Sequence, residues 1–301
     1  MRTVFLGTSE FAAAVVERLA ASEHRPVLVL TRPDRPKGRG RKLASPPVAE
    51  VARRLGIELG QPESVNDEAV SARIAAVQPG AVIVCAFGAL IKEPLLSEHE
   101  LLNVHPSLLP RWRGAAPIER ALMAGDAQTG VSIMRLTAGL DSGPVCLTEV
   151  EPIEAQDTFG SLSARLQQIS ARLLIRALEQ SPVFVEQPDE GVTYAEKIGP
   201  EDRQLDPARD ARELERVVRA LQPHVGARAQ LADGTQLGVH SAALAEPGAL
   251  DPSLQPGVRE HEGRLLLVCR TGTLELLVVQ PPGGRAMDAG AFLRGRGLPD
   301  G

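Results

Sequence analysis

The chain has 301 residues, 24% of them charged, and a formal net charge of -5, which excludes a general nucleic-acid coat protein but leaves room for a local cationic site. Aromatic residues make up 3%, with one Trp and one Tyr, too few for single-strand binding on stacked aromatic platforms. Cys85, Cys146 and Cys269 are far apart in apolar runs and the six His lack ligand spacing, so the expectation is buried thiols in a reducing, cytoplasmic setting and no metal.

Residues 4–6 read as a buried strand. It leads through Gly7-Thr8-Ser9 into a helix with Phe11, Val15, Val16 and Leu19 at helical spacing. That turn lacks the second and third glycines of a dinucleotide fingerprint, and the chain has no G-x-x-x-x-G-K-[ST] loop, so neither nicotinamide nor ATP chemistry is indicated. Residues 27–30 form the next buried strand. Pro46-Pro47 opens a helix carrying Val48, Val51 and Leu55, since proline suits a first helical turn. Further apolar strands are expected at 81–85 and 101–104, then a helix from Pro117 to Met123 that ends at Gly125. Continuous apolar strands alternating with helices imply a parallel sheet covered on both faces. Strands at 131–136 and 145–150 follow, then a long amphipathic helix over 158–178.

Beyond Pro188 the composition changes. A polar segment, 189–207, precedes a charged helix over 211–221. The remainder reads as short strands at 227–231, 237–243, 264–269 and 274–280, punctuated by Gly234, Gly238, Gly257, Gly263 and Gly272, the pattern of a small β-barrel. The expected architecture is therefore an α/β, Rossmann-like domain with a mostly parallel sheet over 1–188, a linker over 189–207, and a smaller OB-like β-barrel domain over 208–301. No stretch approaches the length of a membrane span.

Three constellations could carry chemistry. Asn103 and His105, two residues apart on a strand, point to one face, and Pro106, Pro110 and Gly114 shape an irregular loop beyond them. This places an amide and an acid/base at the open edge of a sheet. Asp141, between Gly139 and Gly143, is an ordinary turn-former alone but would orient an imidazole nearby. The loop over 31–42 holds six basic residues and one acid in a chain that is acidic overall, which suits either a solvated loop or a grip on phosphates.

These strings resemble the methionyl-tRNA formyltransferases within the folate-dependent formyltransferase family. The stretch from Asn103 to Gly114 is similar to the family motif Asn-x-His followed by Ser-Leu-Leu-Pro, with Gly114-Ala115-Ala116-Pro117 behind it. Gly139-Leu140-Asp141-Ser142-Gly143 resembles the family's acidic loop, 33–42 its basic insertion, Tyr194-Ala195-Glu196-Lys197 its linker, and Phe292-Leu293-Arg294-Gly295 its closing segment. The resemblance implies formyl transfer from 10-formyltetrahydrofolate to the methionine amine of initiator Met-tRNA. It implies Asn103 and protonated His105 as donors to the developing oxyanion, and Asp141 as orienter and proton relay. It further implies folate against Phe87, Gly88, Ala89 and Leu90 and against Ser107, Leu108, Leu109 and Pro110. The acceptor stem would lie on Arg35, Lys37, Arg39, Arg41 and Lys42, and the enzyme would act as a monomer.

Two features depart from the pattern. Pro207 stands where relatives commonly carry Trp. Residues 206–301 hold twelve Asp and Glu against eleven Arg and no Lys, so that segment has no net positive charge for tRNA. A formyltransferase acting on a small amine, an amino sugar or glycinamide ribonucleotide, would share the three catalytic residues; against it stand the basic loop and the β-rich C-terminal half. A tRNA-binding protein without turnover would need none of the three.

Overall fold

The computed structural model describes residues 1–37, 42–180, 182–246 and 255–298. The chain divides into two compact units, the first from residues 1–117, 128–152 and 163–196, the second from 118–127, 153–162 and from 197 onward. In chain order the elements are β1 (Thr3–Gly7), α1 (Glu10–Ala20), β2 (Pro26–Leu30), β3 (Arg35–Lys37), β4 (Lys42–Ala44), α2 (Pro47–Arg54), β5 (Glu58–Gly60), α3 (Glu68–Ala76), β6 (Ala81–Cys85), α4 (Leu95–Glu98) and β7 (Leu101–His105). They continue with β8 (Arg113–Gly114), α5 (Pro117–Ala124), β9 (Gln128–Arg135), β10 (Val145–Pro152), α6 (Phe159–Gln180) and β11 (Tyr194–Ala195). The last group is α7 (Ala211–Ala220), β12 (Ala227–Gln230), β13 (Gln236–Leu244), β14 (Gly257–His261), β15 (Arg264–Val268), β16 (Thr273–Gln280), β17 (Met287–Asp288) and α8 (Ala289–Arg296).

The first unit is built on a seven-stranded sheet in the order β10-β9-β7-β6-β1-β2-β5. Strands β7, β6, β1, β2 and β5 run parallel, and β9 and β10 are added antiparallel at one side. All five residues of β1, β6 and β7 are buried, which is why their sequences are mostly apolar without alternation, with Thr3, Asn103 and His105 as the polar exceptions. On one face Val4, Leu6, Leu28, Leu30, Val82 and Val84 pack with Val70 and Ile74 of α3. Helix α1 starts where Ser9 accepts a hydrogen bond from the Ala12 amide, an N-cap. Gly7 is required just before it, because a Cβ there would lie 2.8 Å from the Ala12 Cβ and 2.9 Å from the Cys85 carbonyl oxygen.

The second unit holds an antiparallel sheet in the order β12-β13-β16-β15-β14, with β17 paired to β16. Edge strands β12 and β14 approach one another, so the sheet curls toward a barrel. Leu214, Val217 and Val218 of α7 fill it together with Leu237, Val239, Leu274 and Leu276. The start of α6 is stapled by a reciprocal pair: the Ser161 amide donates to the Thr158 hydroxyl and the Thr158 amide to the Ser161 hydroxyl.

Three local expectations change. Residues 289–296 form helix α8 where only strands and turns were expected; Asp288 caps it by accepting from the Ala291 amide, and Gly290 and Gly295 inside it mask its helical pattern. Gly238 lies within β13, opposite Gln280, instead of in a turn. Gly257 opens a further strand, β14. Helix α3 goes unannounced in the sequence because only Val70 and Ile74 of its nine residues are buried.

Asp202 shows how polar groups hold the second unit. Its carboxylate accepts two bonds from Arg120, at 2.7 and 2.9 Å, and one from the Gly199 amide. Burial pushes its pKa up, but these donors outweigh burial and the net direction is down. A carboxyl with a folded pKa below its unfolded value stabilises the fold above the unfolded pKa and loses that contribution as pH falls through the folded one. Asp202→Asn should therefore cost about 1–2 kcal/mol near neutral pH, and nothing once acid has protonated the wild-type group. Thermal melts of both proteins at neutral and acid pH measure this; an equal gap at both would mean that the charge contributes nothing.

Candidate functional site

The strand β7 ends at the carboxyl edge of the parallel sheet with Asn103 and His105 on one face. Both are nearly enclosed, at 7% and 4% exposure. Asp141, on the turn between β9 and β10, brings its carboxylate to them. Asn103 Nδ2 donates to Asp141 Oδ1 at 3.1 Å. His105 Nδ1 lies 3.7 Å from Asp141 Oδ2, within ion-pair reach but beyond a hydrogen bond. The Gly114 amide donates to the same Oδ2 at 2.9 Å. The structure thus brings Asn103, His105 and Asp141 together.

The His105 ring has one nitrogen committed. Its Nε2 lies 2.8 Å from the Trp112 carbonyl oxygen, which can only accept, so Nε2 carries a hydrogen and Nδ1 is the nitrogen left to exchange a proton. The loop after β7 makes this possible. Trp112 adopts a left-handed backbone, φ 64°, which few non-glycine residues do. Gly114 has φ 118°, and a Cβ there would meet the Ala195 carbonyl oxygen at 2.9 Å. The short pairing of β8 with β11, and the Thr193 hydroxyl accepting from the Trp112 amide at 2.9 Å, hold the loop. Ser132 on β9 pins its start, donating to the Ser107 carbonyl and accepting from the Leu109 amide.

The acidic turn is tight. Asp141 itself is left-handed, φ 44°, and a Cβ on Gly143 would lie 2.1 Å from the Arg135 carbonyl oxygen. A strained backbone persists only where its surroundings over-determine it, and here they do so at a carboxylate. Gln187 is the other holder of this turn. Its Nε2 donates to the Asp141 and Gly143 carbonyl oxygens.

The residues expected to line folate are of two kinds. Gly88, Ala89 and Leu90 are exposed, and Leu108, Leu109 and Pro110 are half-buried, so a flat ligand can reach them. Phe87 is a core residue, packed with Val84 and Ile91, and its carbonyl accepts from the Thr8 hydroxyl. Ser107 is fully buried and its hydroxyl donates to the Arg111 carbonyl at 2.6 Å, so both shape the site from behind. Leu109 also lines a shallow groove with Cys146, Val185 and Gln187.

The basic loop begins as a hairpin, β3 with β4, in the register Arg35 to Ala44 and Lys37 to Lys42. Arg35 is exposed on it. Arg39 and Arg41 lie outside the described residues. Asp34 anchors the base: it accepts from Gln61 Nε2 at 2.7 Å and from the Ser45 hydroxyl at 2.9 Å, and these bonds hold its carboxyl below the usual carboxylate range.

The thiols stand apart from this chemistry. Cys85 and Cys269 are buried, but Cys146, on the edge strand β10, is only partly so, contrary to expectation. Burial pushes Cys146 and Cys269 each up to about 11, so they stay protonated at neutral pH. Among the described residues no group of three His, Cys, Asp or Glu converges to hold a metal ion, and no helix is long and apolar enough to cross a membrane. Trp112, Ser132 and Gln187 went unnoticed as site residues in the sequence; Trp112 acts through its backbone carbonyl, Ser132 through its hydroxyl on two backbone groups, and Gln187 sits in a polar stretch with no pattern to mark it.

Comparison with known proteins matches two family models, Formyl transferase over residues 1–178 and Formyl transferase, C-terminal domain, over 197–297. A methionyl-tRNA formyltransferase of Gluconobacter oxydans is 42% identical over 305 aligned residues, covering 100% of this chain and 99% of that one. One from Stenotrophomonas maltophilia is 43% identical, with 98% of each chain covered. The solved methionyl-tRNA formyltransferase of Clostridium thermocellum superposes with a TM-score of 0.60 at 14% identity, covering 82% of this chain and 95% of that one, a likeness of fold. By its two domain models and its full-length relatives, the chain belongs to the formyltransferase family and, within it, to the methionyl-tRNA formyltransferases.

Proposed function

We propose that the chain moves a formyl group from 10-formyltetrahydrofolate to the α-amine of methionine on initiator Met-tRNA, with Asn103, His105 and Asp141 as its catalytic groups. The observation that carries this reading is the convergence of one carboxamide, one imidazole and one carboxylate at the end of β7. Asn103 Nδ2 and a protonated His105 Nδ1 are donors facing one small region, suited to the formyl oxygen as it gains charge under attack by the amine. Trp112 holds the ring by its far nitrogen and leaves Nδ1 free for this work. Asp141 orients both donors. As the amine bonds to the formyl carbon it gives up a proton to Asp141, and the bond from that carbon to the folate nitrogen breaks as the nitrogen takes a proton from this cluster; shortening the 3.7 Å gap to His105 by on the order of 1 Å joins carboxylate and ring for that relay.

The folate co-substrate fits the half-buried Leu108, Leu109 and Pro110 and the exposed backbone of Gly88, Ala89 and Leu90. When bound it supplies the activated one-carbon unit; the protein supplies apolar cover, orientation and donors. Arg35, Lys37, Arg39, Arg41 and Lys42 would grip the acceptor stem in the cytoplasm, where a stem that opens cheaply distinguishes the initiator.

Formyl transfer to initiator Met-tRNA should far exceed transfer to elongator Met-tRNA, an amino sugar or glycinamide ribonucleotide; comparable rates on a small amine would favour that other substrate class. His105→Ala should lower turnover by about 100- to 1000-fold while tRNA affinity stays nearly constant. Parallel loss of both would make the histidine structural.

Arg35→Ala addresses the hairpin. The slope of log affinity for tRNA against log salt should flatten by roughly 0.7–0.9, one phosphate contact's worth, with similar weakening across tRNA sequences. An unchanged slope would leave Arg35 a solvated residue.

A further inference from the structure

Gln187 lies outside every motif, yet its side chain makes four hydrogen bonds within the first unit. Arg113 Nε and Nη2 donate to Gln187 Oε1 at 3.0 and 2.8 Å. Gln187 Nε2 donates to the Asp141 carbonyl at 2.8 Å and to the Gly143 carbonyl at 2.7 Å. The amide can face only one way. A guanidinium only donates and a carbonyl only accepts, so flipping the amide would oppose like groups at all four contacts. The segment that carries Gln187 is itself fixed, because Val185 exchanges two backbone hydrogen bonds with Val145 at the start of β10.

The consequence falls on Asp141. Its carboxylate is held by Asn103 and Gly114, and its own carbonyl by Gln187, in a left-handed backbone that would otherwise relax. Arg113 and Gly114 are neighbours on β8, so the residue that aims Gln187 adjoins the one that donates to Asp141. We infer that Gln187, set by Arg113, is a positioning residue that holds the Asp141 turn in the geometry its carboxylate needs for formyl transfer. Gln187 touches none of the reacting groups and acts only through Asp141, so the inference rests on the catalytic role proposed for that carboxylate. Leucine or methionine lacks both the acceptor and the donors. Glutamate keeps the acceptor for Arg113 but turns a charged oxygen toward two carbonyls.

The test is a double-mutant cycle in steady-state formylation of initiator Met-tRNA, with Gln187→Met, Asp141→Asn and the pair. Gln187→Met should lower kcat by about tenfold with KM for both substrates changed by less than about twofold, the signature of a misaimed group and not of lost binding. In the Asp141→Asn background the same change should cost nothing further. An equal loss in both backgrounds, or no loss in the wild type, overturns the inference. Should Gln187→Met fail to fold, Gln187→Glu, which keeps its volume and its Arg113 contact, carries the same expectations. Full turnover by Asp141→Asn alone would instead remove the catalytic role of Asp141, a different failure from additive losses beside a slowed Asp141→Asn.

Discussion

A carboxylate shared among several donors governs the arrangement of the first unit's functional edge. Asp141 accepts from Asn103 Nδ2 and the Gly114 amide, and faces His105 Nδ1 at 3.7 Å. Side-chain exposure of 13% for Asp141 and 5% for His105 keeps this cluster from open water, where its electrostatics would be weakened. Each donor comes from a different stretch of chain. Asn103 is on β7, Gly114 on β8, and the acidic turn joins β9 to β10. The cluster depends on the sheet setting β7 beside β9, which the antiparallel register of Asn103 with Met134 and His105 with Ser132 does.

Conformational cost is concentrated at the same place. Trp112 and Asp141 hold left-handed backbones, each costing on the order of 1 kcal/mol or more for a non-glycine residue. Glycines take the positions where a Cβ cannot fit at all, Gly114 against the Ala195 carbonyl and Gly143 against the Arg135 carbonyl. The return on this strain is direction. A left-handed Trp112 turns its carbonyl onto His105 Nε2 and so decides which imidazole nitrogen is free. The loop around Trp112 has its backbone groups met on both sides, by Ser107, Ser132 and Thr193 up to Trp112 and by the Ala195 carbonyl beyond it.

Much of this was legible in the residues. Apolar runs named β1, β2, β6 and β7, and proline marked the start of α2, because burial on both faces and a fixed φ leave strong local signatures. The juxtaposition of Asn103 with His105 followed from strand periodicity alone. Their meeting with Asp141 is a long-range contact across nearly forty residues, so only the family resemblance, and no local pattern, anticipated it. Gln187 left no trace, since its role comes from where the chain returns. Helix α8 was hidden by its own glycines, although Asp288 at its start and Arg294, Arg296 and Gly297 at its end are local signs of it. Phe87 and Ser107 belonged to motif strings, but strings do not tell a lining side chain from one that packs behind the lining.

Charge divides in the same local manner. A net charge of -5 repels a polyanion at long range. At physiological ionic strength that repulsion decays over about 8 Å, so a hairpin carrying several cations on its own can dominate the field felt by a phosphate next to it. Asp34 is the single acid of the loop, and its carboxylate is turned to Gln61 and Ser45, with Arg53 3.9 Å away, so it is spent on anchoring. An acid left pointing along the hairpin would instead cancel one of the basic residues beside it. An overall acidic charge and a locally cationic stretch of sequence are thus compatible, because the first acts as a screened long-range repulsion and the second only within a few ångströms.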